Sequence, residues 1–215
     1  MEKSSKQFFA VALLILAFAI PMSAQAAMKL KLTDVDTGTV VEIEDNGAGD
    51  TSAQVGVISF NGPLGDFIVN VTTGISKPVL TGSPTLMDLN SVNVSGQAGT
   101  LIIMLTDTGF GPFDGPLVAN IGGTANGEIS YESYAGNGEY DMTTEIFSGT
   151  ASGGAFSDTG SVAATNVDSL TIVATLTHTT AGQITSFDSE IKVPEPGTLA
   201  LLGIGLTGLG FGAYR

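Results

Sequence analysis

From position 28 to 193, apolar and polar residues alternate in short runs, and no stretch repeats its apolar positions at helical spacing. Clusters of Gly, Asn, Asp and Pro punctuate these runs roughly every ten residues, the signature of strands joined by tight connections. The alternation predicts strands over 29–33, 40–44, 55–60, 67–72, 86–94, 100–106, 117–121, 128–134, 140–147, 170–178 and 183–191. Such an inventory predicts an all-β fold, an antiparallel β-sandwich of jelly-roll-like form. Within it, Leu101, Ile102, Ile103, Met104 and Leu105 are apolar on both faces and predict a central strand. In 170–178 the line Leu170, Ile172, Ala174, Leu176 predicts a core face, with Thr171, Val173, Thr175 and Thr177 on the other.

Both ends break this pattern. Lys3 and Lys6 precede an uninterrupted apolar run over 8–20, and small residues at Ala24 and Ala26 fit the small-x-small rule of a signal peptidase. Residues 1–26 therefore read as a signal peptide cleaved after Ala26. At the other end, Pro194-Glu195-Pro196 precedes an uncharged stretch over 197–214 and then Arg215. Eighteen residues at about 1.5 Å rise span about 27 Å, enough for a transmembrane helix across a hydrocarbon core. The chain thus divides into a signal peptide at 1–26, a β-sandwich domain at 27–192 and a membrane-directed tail at 193–215.

The order of Pro194-Glu195-Pro196, a Gly/Leu-rich span and a terminal arginine resembles the sorting tail of bacterial PEP-CTERM proteins. The resemblance is confined to the tail and implies a route rather than an activity. It implies export, an inner-membrane-anchored precursor, and processing near the motif by an exosortase, a membrane-embedded cysteine protease. It also implies a Gram-negative host that makes extracellular polysaccharide or biofilm, and a final place at the cell surface or outside the cell. Family tails commonly end in several arginines, whereas Arg215 stands alone here.

Charge narrows the partners. Residues 27–193 hold 19 acidic and 4 basic side chains, a net charge of −15. Such a field repels phosphate backbones, so nucleic acid is excluded as a partner, and it attracts cations. Cysteine is absent, which removes disulfides and thiolate metal sites.

The tripeptide Asp-Thr-Gly occurs at Asp36, Asp107 and Asp158. Aspartic proteases place this tripeptide on paired loops, where two carboxylates share a proton. Asp-x-Gly is equally the chemistry of tight turns, and none of the three follows an apolar pair that would bury a catalytic loop. They read as turns. No Gly-x-Ser-x-Gly elbow occurs, and the one histidine, His178, continues the inward line of its strand and reads as structural. No carboxylate pair of the glycosidase kind stands out from the sequence. The catalytic set is therefore expected to be empty.

Two binding chemistries remain. Glu42, Glu44, Asp45 and Asp50 form the densest run of oxygen ligands, with Gly47 and Gly49 to let the loop close on calcium; the alternative is a solvated turn. Tyr131, Tyr134 and Tyr140 flank Gly136-Asn137-Gly138 and suggest a stacking surface for sugars, but alternation sends Tyr131 and Tyr134 to opposite faces. The sequence thus predicts a non-catalytic exported protein of the cell surface or extracellular matrix, without a resident cofactor and linked to exopolysaccharide or biofilm. Its alternatives are a calcium- or glycan-binding module and, third, an aspartic-type or glycosidic hydrolase. The expected partners are signal peptidase, exosortase, the membrane and extracellular polysaccharide.

Overall fold

The computed structural model describes residues 28–81 and 85–193. The signal peptide with Ala24 and Ala26, the sorting motif Pro194, Glu195 and Pro196, and the span 197–214 lie outside these residues. Among the described residues the regular structure is entirely strand: β1 Lys29–Asp34, β2 Thr39–Glu44, β3 Val57–Leu64, β4 Phe67–Ile75, β5 Thr85–Gly96, β6 Gly99–Gly136, β7 Thr144–His178 and β8 Ile184–Lys192. All pairings are antiparallel, in the order β2-β1-β6-β8-β5-β4-β3 with β7 on β6.

β6 and β7 are far too long for a single straight strand, and their pairing resolves them into three segments each. Segment 99–108 of β6 pairs β1 and segment 169–178 of β7; segment 113–125 pairs β8 and 154–167; segment 128–136 pairs both 144–152 and 169–178. Two six-stranded layers result. One runs β2, β1, β6 (99–108), β7 (169–178), β6 (128–136), β7 (144–152). The other runs β3, β4, β5, β8, β6 (113–125), β7 (154–167). The chain passes between layers where glycine permits backbone that other residues resist, at Gly109 and Gly111 (φ 79° and 67°) and at Gly153 and Gly154 (φ 63° and 132°).

The layers close face to face. Leu30, Leu32, Leu101, Ile103 and Leu105 on one and Val69, Val71, Leu89, Val92, Val94 and Phe187 on the other are fully buried in one core. Rings bridge the layers: Phe67 meets His178 at 5.7 Å, and Tyr131 stacks on Phe156 at 5.9 Å with planes 7° apart.

The sandwich expected from sequence is therefore present, with four local differences. Residues 154–167 form an edge strand, although Gly, Ser, Ala and Thr there show no apolar alternation. Asp158-Thr159-Gly160 lies within that strand rather than in a turn. Tyr140 belongs to the loop before β7, with φ 54°. Ile102 and Met104 are only half-buried, so the central strand 99–108 has one core face and one outer face.

A polar trough on the outer face of one layer

Outward positions of β5, β8, β6 and β7 are set side by side by strand register. Asp88 on β5 faces Glu190 on β8, which faces Asn120 on β6, which faces Thr159 on β7. One step along, Asp188 faces Gly122, which faces Ser157, and a bulge between Leu89 and Val92 brings Asn90 to the same place. All of these but Thr159 line a depression of about 370 Å³ on the outer face. Gly122 makes the floor: a Cβ there would meet nothing closer than the Phe156 carbonyl oxygen at 3.7 Å, so a side chain would stand in the open trough.

The walls are polar and held in place. Glu190 accepts hydrogen bonds from Asn120 Nδ2 (2.8 Å), Lys192 Nζ (2.8 Å) and Thr85 Oγ1 (3.1 Å). Burial opposes its ionisation, but these donors outweigh it and hold the carboxyl below the usual range. Asp88 is shifted the other way, by burial first and then by the neighbouring Glu190 and Asp188 charges. Thr159 Oγ1 donates to Asn120 Oδ1 at 2.6 Å, so the amide of Asn120 has a fixed orientation. The trough thus presents carboxylate acceptors, amide groups and a serine hydroxyl around one concavity, a lining that can exchange several hydrogen bonds with a hydroxyl-rich ligand.

The sequence-derived site residues lie elsewhere. Asp36 and Asp107 stand beyond opposite ends of the β1–β6 ladder, which pairs Asp34 with Leu101 and Lys29 with Thr106. Asp36 Oδ2 accepts the Thr100 N–H at 2.6 Å, while Asp107 is held by Ser76 and Lys77. Asp158 sits on the edge strand and takes the Tyr131 hydroxyl at 3.0 Å. The register brings no two of the three into one cleft.

Of the calcium candidates, Glu44 and Glu42 flank Lys29, whose Nζ is 3.1 and 4.0 Å from them and 2.9 Å from Glu139. Asp45 accepts the Gly56 N–H (2.8 Å), and Asp50 accepts those of Asn46, Ser52 and Ser59 (3.0, 2.9 and 3.0 Å). The four are divided between an ion-pair cluster on β1–β2 and the backbone of the loop that crosses to β3. Among the described residues no group of three or more His, Cys, Asp and Glu is placed to hold a metal ion.

His178 is 1% exposed, shares a hydrogen bond with Thr185 Oγ1 at 3.1 Å, and has its pKa lowered by burial. Tyr131 is buried against Phe147 and Phe156. Tyr134 lies on the outer face beside Glu132, with burial and that carboxylate pushing its hydroxyl up to about 12. Tyr140 covers Lys31, with the ammonium 5.7 Å from the ring. The three tyrosines form no common platform.

Asp88 with Asn90 and Asp188 with Glu190 are polar pairs two residues apart, each on the outward side of a predicted strand. That spacing was the available signal. Their convergence depends on β5 and β8 being neighbours, a pairing between segments about a hundred residues apart that alternation does not encode.

Residues 192–215 match the PEP-CTERM protein-sorting motif, so the chain carries an export-and-sorting signal. No curated protein matches the sequence. Among solved structures, the adhesin domain of Epf from Streptococcus pyogenes aligns with TM-score 0.42 and 11% identity over 76% of this chain and 57% of that one. The enzymatically active domain of bacteriophage CBA120 tailspike protein 4 gives 0.38 and 7%, over 78% and 19%. TmCBM61 in complex with beta-1,4-galactotriose gives 0.37 and 10%, over 68% and 92%. These likenesses are remote.

Proposed function

We propose that this chain is an exported, non-catalytic protein of the cell surface or extracellular matrix, whose sandwich binds a neutral glycan in the trough on β5, β8, β6 and β7. The observation that carries the reading is the convergence of Asp88, Asn90, Asn120, Asp188, Glu190 and Ser157 around one depression. Carboxylates accept from sugar hydroxyls and amides do both, so a polyhydroxyl ligand satisfies this lining without an ion. The net charge of −15 over 27–193 disfavours acidic polymers. With no aromatic platform, hydrogen bonds lead and the affinity for a single chain is modest.

Delivery follows from the tail. Signal peptidase removes 1–26, the span 197–214 holds an inner-membrane precursor, and exosortase processing near Pro194-Glu195-Pro196 releases the domain to an extracellular polysaccharide or biofilm. For the ligand, the test is titration calorimetry of the purified chain against neutral oligosaccharides, with uronic-acid polymers for contrast. Binding to a neutral glycan, lost in Asn120→Ala and Asp188→Ala with the melting temperature kept, supports the reading. Binding that survives both substitutions, or none to any neutral glycan, removes it.

A further inference from the structure

At the end of β8, Lys192 Nζ and Asn120 Nδ2 donate to the same atom, Glu190 Oε1, each at 2.8 Å. An ion pair between Lys192 and Glu190 needs no amide, so Asn120 is a third partner with chemistry of its own. Register assembles the group. Glu190 stands opposite Asn120 of β6 and Lys192 opposite Val118, which makes Lys192 and Asn120 diagonal neighbours on one outer face. Diagonal positions lie roughly 7–8 Å apart, within reach of a long side chain. The far side of each polar group is tied as well: Thr85 Oγ1 donates to Glu190 Oε2 at 3.1 Å, and Thr159 Oγ1 donates to Asn120 Oδ1 at 2.6 Å. Lys77 offers the contrast, because it shares Asp107 Oδ2 with the Ser76 hydroxyl, a group with no carbonyl to attack.

The parts match those of an acyl transfer: an amine nucleophile, a carboxylate in contact with both nucleophile and leaving group, and a donor on the carbonyl oxygen. The Lys192 side chain is 35% exposed and that of Glu190 30%, so the lysine end can swing from the carboxylate to the amide carbon without disturbing the core.

We infer that Lys192 Nζ and Asn120 Cγ join in an intramolecular amide bond, with Glu190 carrying the protons. Lys192 gives one proton to Glu190 Oε1 and the free amine attacks Cγ, while the Thr159 hydroxyl holds the carbonyl oxygen as its charge grows. The Cγ–Nδ2 bond breaks as Glu190 passes that proton to Nδ2. The attacking nitrogen sheds its second proton to the same carboxylate and on to the departing ammonia. Overall, an ammonium and a primary amide become a secondary amide and an ammonium ion, with no oxidant or co-reactant. The step occurs once per chain and without turnover, so it is compatible with a non-catalytic role. It ties the end of β8 to β6 immediately before the tail, closing the chain from 120 to 192 so that a pull on the tail meets a covalent clamp. The inference is independent of any ligand in the trough, because the new amide keeps the Asn120 carbonyl.

Mass spectrometry of the full chain, purified from its host, tests the bond. Cleavage before aspartates leaves Asn120 in 114–140 and Lys192 in the peptide that begins at Asp188. The expected product is one branched peptide with the mass of both less one ammonia. Lys192→Arg, which keeps the charge, gives the two peptides separately, and Glu190→Gln lowers the branched fraction roughly tenfold. Separate peptides from the unaltered chain, with Asn120 intact or hydrolysed to aspartate, would overturn the inference. So would a branch from Lys192 to a different residue, or one undiminished in Glu190→Gln.

Discussion

Asp107 has no exposure, yet it sits among donors: Ser76 Oγ at 2.5 Å and Lys77 Nζ at 2.7 Å on one oxygen, and Thr108 N–H at 2.7 Å on the other. Lys77 Nζ also donates to Thr108 O and lies 3.9 Å from the Phe110 ring centre, so the ammonium closes the end of the sandwich beside the first layer crossing. Removing the carboxylate takes the shared oxygen from a partly exposed ammonium and a buried hydroxyl, leaving them Thr108 O and Leu86 O. Asp107→Ala is therefore expected to cost about 1.5–3 kcal/mol in urea unfolding, and Asp107→Asn less. His178 makes a second residue-scale prediction, about pH. Its Nδ1 is buried without a partner, and burial lowers its pKa in the folded state. Between that value and the ordinary 6.5 the unfolded chain binds the extra proton, so stability rises with pH in this window and is lost as pH falls through it. His178→Phe, measured by denaturant unfolding from pH 8 to 5, should flatten that fall. The decline that remains begins lower, below the ordinary 4.5 of Glu190 and 3.8 of Asp34 and Asp141, whose folded carboxyls are held down by hydrogen bonds despite burial at the first two.

The trough depends on β6 offering Gly122 between Asp188 and Ser157. That glycine has no positive φ and room above it, so Gly122→Val should keep the melting temperature within a few degrees, as exposed substitutions do, while filling the depression and abolishing glycan binding in the same calorimetric titration. Loss of fold instead would show that the floor is structural. Strand by strand, the sequence was informative where one face is buried. The alternation of Leu170, Ile172, Ala174 and Leu176 in β7 and of Phe187 and Ile191 in β8 is a direct imprint of the core. Segment 154–167 lacks that imprint because it is an edge strand whose inner side meets Phe147 and Tyr131, rings supplied by neighbouring segments. A Cβ at Gly160 would stand 2.3 Å from Phe147, so glycine is needed where apolar residues would otherwise have marked a strand. The connection between the expected strands 128–134 and 140–147 is present but runs on to Thr144, because the Asp141 carboxylate, bonded to Asn137 and Thr143, extends the loop before β7. The trough residues were legible only as isolated polar pairs, since their meeting is a property of sheet order.

At the scale of the whole molecule, the strong acidity and the sorting motif bear together on the proposed route, in which a folded domain leaves the membrane once its tail is processed. A net charge of −15 disfavours contact between 27–193 and anionic headgroups, so on the proposed route attachment falls to the tail. The exit is placed for this: β8 ends at Lys192, in register with Val118 of β6 and Thr85 of β5, and Val193 still packs on the core. The matched motif starts at that same Lys192, so little slack separates the sandwich from Pro194-Glu195-Pro196. A protease working near the motif must then act close to the folded domain. Two expectations follow for the host. With active exosortase, the C-terminal mass of the chain corresponds to cleavage near 194–196 and the protein leaves the membrane fraction; without it, the full tail stays on and the protein sediments with membranes. Inserting a flexible Gly-Ser linker after Val193 gives the protease more room and should speed processing in the active strain without changing the site. An identical C-terminal mass in both strains would reduce the tail to a plain anchor, and a linker that halts processing would mean that the domain's nearness is part of what the protease reads.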